Sequence, residues 1–289
     1  MSIRRLSRLT TAVGSGVKTL ALPLPSVGRL VTQTDGPRGF VSVNVPATAN
    51  AAGAWTQIFA STSAESTLLY FCLAAGSSIA DSSLMFDVGV GPSGLESVVV
   101  PNLAVGMNNL FSANIVFPVP VRIPAGSRVA VRGRSANGTS RNFSPDLVLA
   151  SHPDAWLIPS SVDTLGSSSS TSRGTAMSGL SGTYTEIASS TTRPYQALIV
   201  IPSAPTNAGI NGRFRLTLAI GPAGAEVDIG SVDALQGSGG GVQPQSIIGN
   251  TPWPIFGTVI PAGSRVALKH NLASNPQYVE ACVIGVPFP

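Results

Sequence analysis

Ile123-Pro124-Ala125-Gly126-Ser127-Arg128-Val129-Ala130 returns unchanged as Ile260-Pro261-Ala262-Gly263-Ser264-Arg265-Val266-Ala267. Eight identical residues in two distant places mark a module used twice, so the fold is read as a tandem pair. Two further matches lie in the same order. Gly91-Pro92-Ser93-Gly94-Leu95-Glu96 corresponds to Gly221-Pro222-Ala223-Gly224-Ala225-Glu226, and Trp55-Thr56-Gln57-Ile58 to Tyr184-Thr185-Glu186-Ile187. Spacing drifts slightly between the copies, as loops accept insertions more readily than strands do. The largest insertion is the Gly-rich stretch from Gln236 to Gly241 in the second copy.

Periodicity sets the class of each copy. In Arg213-Phe214-Arg215-Leu216-Thr217-Leu218 the apolar residues alternate, which places Phe214, Leu216 and Leu218 on one face of a strand. Arg128-Val129-Ala130-Val131-Arg132 and Arg265-Val266-Ala267-Leu268-Lys269 alternate likewise. Short apolar runs at 68–73, 147–149, 198–201 and 279–286 are bounded by turn residues, and no stretch shows a capped 3.6-residue stripe. The expectation is an all-β chain of two tandem β-sandwiches, with jelly-roll connectivity preferred over an immunoglobulin-like one.

The octapeptide reads as a strand–turn–strand corner. Proline presets φ, glycine supplies a backbone conformation other residues resist, and Arg-Val-Ala opens the next strand. The functional alternative, Arg128 and Arg265 holding an anion, is the weaker reading. Glu96 and Glu226 are expected at solvated hairpin tips.

Of the 289 residues, 10% are charged, and 31 are Gly and 23 Pro. A chain so poor in charge either carries a Ser/Thr surface or hides much of its surface in an assembly. The net charge of +4 is local. It is concentrated in residues 1–40, where Arg4, Arg5, Arg8, Lys18, Arg29 and Arg38 face a single acid, Asp35. This basic segment, with its Leu22-Pro23-Leu24-Pro25 stretch, reads as an extended arm docking on a neighbouring subunit, with Arg4, Arg5, Arg8 and Lys18 as its assembly contacts. It lacks the aromatic interleaving and charge density of a sequence-specific nucleic-acid binder. The expected boundaries are an arm at 1–40, sandwiches at 41–158 and 174–289, and a flexible Ser-rich linker at 159–173.

Chemistry is sparse. Cys72 and Cys282 sit in apolar runs, opposite Ile201 and Leu147 in the repeat alignment, and read as buried free thiols. His152 and His270 belong to no ligand-spaced cluster, so no metal is expected. No nucleophile elbow, carboxylate pair or phosphate loop is recognisable, so no catalytic residue and no cofactor are nominated. No apolar run reaches the length of a membrane span. Trp55, Trp156 and Trp253 could stack on sugar rings. Trp55 aligns with Tyr184 and reads as core, which leaves Trp253, in Thr251-Pro252-Trp253-Pro254, as the candidate glycan or partner contact.

A basic arm, a low-charge Ser/Gly/Pro/Ala-rich body and duplicated β modules with Ile-Pro-Ala-Gly-Ser-Arg corners resemble structural proteins of tailed bacteriophage virions. The resemblance spans about residue 40 to 289. It implies a non-enzymatic virion component associated with tail or neck, partnered by other virion subunits and by copies of itself. The alternatives are capsid decoration or a module pair binding host-surface glycan.

Overall fold

The computed structural model describes residues 19–20, 30–31, 41–74, 82–107, 115–151, 158–177, 181–203, 212–237, 243–245, 255–256, 259–271 and 280–289. The described residues form strands and turns, with no helix. The all-β expectation therefore holds.

In the first half the strands are β1 (Thr19–Leu20), β2 (Leu30–Val31), β3 (Val43–Val45), β4 (Thr56–Phe59), β5 (Leu68–Ala74), β6 (Ser82–Val90), β7 (Ser97–Met107), β8 (Ile115–Val119), β9 (Val129–Ser135) and β10 (Arg141–Ala150). In the second they are β11 (Asp163–Leu165), β12 (Thr175–Ala176), β13 (Thr185–Ala188), β14 (Tyr195–Ser203), β15 (Gly212–Ile220), β16 (Val227–Gly237), β17 (Gln243–Gln245), β18 (Ile255–Phe256), β19 (Val266–His270) and β20 (Glu280–Pro287).

These strands build four antiparallel sheets. The first half holds β2-β10-β5-β8, with β3 also on β10, and β4-β9-β6-β7. The second holds β1-β18-β14-β20-β11, with β12 also on β20, and β13-β19-β15-β16-β17. The order β3-β10-β5-β8 maps strand for strand onto β12-β20-β14-β18, and β4-β9-β6-β7 onto β13-β19-β15-β16. The duplication read from three short motifs thus extends to these eight strands of each half, while β1 and β17 have no counterpart among the described residues.

Alternation works as expected where one face meets solvent. Leu216 and Leu218 are fully buried, while the side chain of Arg215, just before Leu216, is exposed and Thr217 between the two leucines is half-buried. Strand β20 departs from alternation because every one of its residues is buried. One face, with Ala281 and Val283, joins Leu198, Val200, Leu216 and Leu268 in the core of the second half. The other, with Cys282, Ile284 and Val286, joins a cluster continuous with Leu84, Phe86 and Val131 of the first half. A strand covered on both faces reads as a near-continuous apolar run.

Three sequence expectations change here. The segment 159–173 is not a free linker. Its β11 pairs with β20 (Asp163↔Gly285, Leu165↔Val283), and Arg193 grips the Asp163 carboxylate through two nitrogens at 2.7 and 2.9 Å. The Tyr195 hydroxyl donates to the same carboxylate at 2.8 Å, and burial together with that acceptor pushes the phenol up to about 12. Second, Cys72 pairs with Asp146 where Ile201 pairs with Cys282, so Asp146, and not Leu147, is the counterpart of Cys282. Short motifs fix a register only to within a residue; the ladder fixes it absolutely. Third, Trp55 is half-buried rather than core. The Arg132 guanidinium lies 4.5 Å over its ring, as the Lys269 ammonium lies 4.5 Å over that of Tyr184.

Candidate functional site: a duplicated clasp and a one-sided joint

Five of the eight residues of the repeated octapeptide, Ile, Pro, Gly, Ser and Arg, make a specific contact. Ile123 and Ile260 are fully buried and bridge Ser66 and Tyr195. The carbonyls of Pro124 and Pro261 accept from the hydroxyls of Thr62 and Thr191 at 2.7 and 2.8 Å. Gly126 and Gly263 have φ of 76° and 80°, the left-handed region that favours glycine. Their N–H groups donate to the carbonyls of Thr62 and Thr191. The N–H groups of Ser127 and Ser264 donate to the same two threonine hydroxyls. Thr62 and Thr191 are thus a fourth matched pair, hidden in sequence because serines and threonines crowd around both.

The arginine closes the corner onto the neighbouring hairpin. Arg128 reaches Glu96 at 2.5 Å and Gln57 at 2.9 Å, and Arg265 reaches Glu226 at 2.8 Å and Glu186 at 2.7 Å. The octapeptide and the Gly-Pro-x-Gly-x-Glu motif are therefore two halves of one clasp. This corrects the expectation of solvated hairpin tips: the side chains of Glu96 and Glu226 are only 1% and 7% exposed. Both arginines are satisfied by acids of their own chain, which leaves the anion-site reading without a free cation at either corner.

Both glutamates ionise below the ordinary value of 4.5. For Glu226 the chief cause is its own backbone N–H; burial opposes, and Arg265 and the Gly224 N–H add to the lowering. For Glu96 burial is the largest influence and raises it, but its backbone N–H, Arg128 and the Gly94 N–H together outweigh that. A carboxyl lowered by folding adds stability above its unfolded pKa, and that stability is lost as pH falls through the lowered folded value. Acid titration of unfolding will therefore show a loss beginning below about 4.5, and Glu226→Gln will flatten that part of the curve. An unchanged acid limb in the variant will show that the clasp does not couple to stability.

A second charged cluster lies in the first half and has no counterpart among the described residues of the second. Asp87, nearly fully buried, accepts from Arg132 Nε at 2.8 Å, Arg134 Nη2 at 2.7 Å and the Asn102 N–H at 2.7 Å. The strand ladders place Thr217, Lys269 and Asn271 at the corresponding positions. Sequence reading missed it, because a single aspartate inside an apolar strand carries no motif. Lys269 instead binds Tyr184 and Asp228, which holds its ammonium more strongly protonated than usual. Among the described residues no group of three His, Cys, Asp or Glu is placed to hold a metal ion.

The third feature is the joint between the halves. The outer face of β6-β7, with Met85 and Ala104, meets the outer face of β14-β20, with Ile199, Ile201, Cys282 and Ile284, and all six are buried. The Val162 N–H donates to the Val99 carbonyl at 3.0 Å, capping the free edge of β7, and the Thr164 hydroxyl donates to Pro101 O. Cys282 Sγ lies 3.8 Å from Ala104 O, and burial pushes this thiol up to about 12, so it behaves as a small hydrophobe. The joint is one-sided. Where Met85 pairs with Ala104, the second half pairs Arg215 with Asp233, whose side chains form an exposed ion pair at 2.8 Å.

The proposed glycan contact Trp253 and the assembly residues Arg4, Arg5, Arg8 and Lys18 lie outside the described residues, as do Trp156 and His152.

No protein-family model matches the chain, and no curated protein matches it. Among solved structures it is similar to the STIV major capsid protein, from an archaeal virus, at 10% identity and a TM-score of 0.37, covering 86% of this chain and 96% of that one. It is also similar to PNGase F, a glycosylasparaginase from Flavobacterium meningosepticum, at 14% identity and a TM-score of 0.31, covering 89% and 93%. A further structure of peptide-N(4)-(N-acetyl-β-D-glucosaminyl) asparagine amidase gives 15% identity and 0.30, covering 85% and 96%. These likenesses assign neither a capsid role nor an activity to this chain. They do correct one expectation. The chain was read as non-enzymatic because no catalytic motif is recognisable, yet similar structures include an amidase, so that exclusion is withdrawn.

Proposed function

We propose that the chain is a structural subunit of a virus particle, built as two jelly rolls at 41–158 and 174–289 fused into one block. The observation that carries the reading is the sealed joint. Two halves with the same strand order are locked face to face through buried apolar side chains, which makes a stiff building unit rather than two beads on a string. The orders β3-β10-β5-β8 with β4-β9-β6-β7, and their counterparts, support the jelly-roll assignment of each half. The low charge of the chain suits a surface largely covered by neighbours. Within this reading the specific placement is at the tail or neck of a bacteriophage, with capsid-surface decoration as the next choice, and residues 1–40 serve as the docking arm.

The test is the copy number of the chain in purified particles, with antibody labelling to locate it. Stoichiometric presence with labelling at tail or neck supports the full proposal, and labelling over the head surface moves it to decoration. Absence from particles ends it. Replacing Arg4, Arg5, Arg8 and Lys18 together by serine should abolish incorporation while leaving the solution fold intact. Trp253→Ala separates the glycan alternative, because loss of binding to host polysaccharide with normal incorporation would favour attachment over assembly.

A further inference from the structure

The joint leaves two unmatched halves at opposite ends of the chain. In the β2–β10 ladder Val31 pairs with Leu149 and Leu30 with Ala150, while in the β11–β20 ladder Asp163 pairs with Gly285. Leu149 and Gly285 are counterparts, since they face Leu69 and Leu198 at the same position of β5 and β14. Strand β2 therefore stands on the first half where β11 stands on the second. Val31 takes the place of Asp163, and Leu30 that of Val162. In the joint, Val162 caps the edge of β7 through Val99 O. Leu30 holds the corresponding place on the first half.

The complementary half lies on β16. Its Ile229 is the counterpart of Val99, and both sit at the same bulge of the ladder to the preceding strand. Among the described residues, β16 is paired on its outer side only by β17, at Leu235 to Gly237. Along the remainder of that strand Val227, Asp228 and Ser231 are exposed. An uncapped edge of this kind is a template for another chain.

We propose that a second copy of this chain completes both halves. The end of one copy that carries β2 and β10 docks on the β15-β16 face and edge of the next, repeating between chains the joint that already exists within the chain. Such a contact is heterologous, so successive copies close into a ring or run on as a filament. The two joints differ in chemistry. Met85 and Ala104 become Arg215 and Asp233, while Ile199 and Ile284 become the half-exposed Tyr70 and Val148. The contact between chains is consequently polar, weaker than the one within the chain, and sensitive to salt. It does not depend on the particle assignment, because it is measured on the isolated full chain.

The experiment is sedimentation of the full chain across a wide concentration range at low and high salt. The expected result is reversible self-association that weakens with salt. Ser231→Trp blocks the β16 end at an exposed position, and Leu30→Asp blocks the β2 end. Each should weaken association by at least about tenfold, with circular dichroism confirming the fold. Mixing the two variants is decisive. One intact end of each remains, so a heterologous contact gives a one-to-one dimer and nothing larger. A wild-type chain that stays monomeric at every concentration overturns the proposal. So does undiminished association of both variants, or a mixture that forms no dimer.

Discussion

Ile199→Asp will destabilise the chain by about 4–5 kcal/mol, the range reserved for burying an unpaired charge. Ile199 is fully buried in the joint, among Met85, Ala104, Ile201, Cys282 and Ile284, none of which can pair with a carboxylate. Its counterpart Tyr70 has the same place on β5 but is only half-buried, on a face that no other sheet among the described residues covers. Tyr70→Asp should therefore cost only about 1 kcal/mol, the usual cost of a substitution without a special mechanism. Denaturant unfolding of both variants measures the contrast. Equal losses at the two positions would mean that the joint is not sealed.

Phe86→Ala will cost about 3–5 kcal/mol, as for other large aromatic truncations in a core. The Phe86 ring is fully buried, with its centroid 5.3 Å from that of Phe71 in a tilted contact and 6.2 Å from that of Phe143 edge-on. Removing it leaves a cavity between the two sheets of the first half and ends both ring contacts. Thermal unfolding reads the loss directly. A change of less than about 1.5 kcal/mol, typical of well-tolerated hydrophobic swaps, would mean that the core collapses around the gap.

Phe86 also shows why part of the fold was not legible in the chain. It faces Gly133 across the β6–β9 ladder, and a Cβ on Gly133 would lie 3.0 Å from the Phe86 ring. In the second half the same pair is Leu216 and His270. Volume has moved from one strand to the other. Trp55 beside Gly89 likewise becomes Tyr184 beside Ala219, and Ser66 with Leu149 becomes Tyr195 with Gly285. Each exchange shifts bulk between paired positions while erasing residue similarity, which is how cores diverge under close packing. Motif matching therefore found the corners, where backbone hydrogen bonding demands particular residues, and passed over the strands between them. The clasp was half legible. Its arginine and glutamate were both singled out, but their partnership spans two motifs that only the β6–β9 pairing brings together.

By itself the sequence determined the β class, the duplication and the corners, because alternation, Gly-Pro turns and an exact repeat are local properties of the backbone. Tertiary structure decided which outer face is sealed and which is open, and that 159–173 is a strand-bearing seam rather than a linker. The physical reason is that equivalent positions in the two halves obey the same local rules but meet different neighbours. Ile199 and Tyr70 occupy the same place in the same kind of strand, and only the sheet lying against the first of them separates their roles.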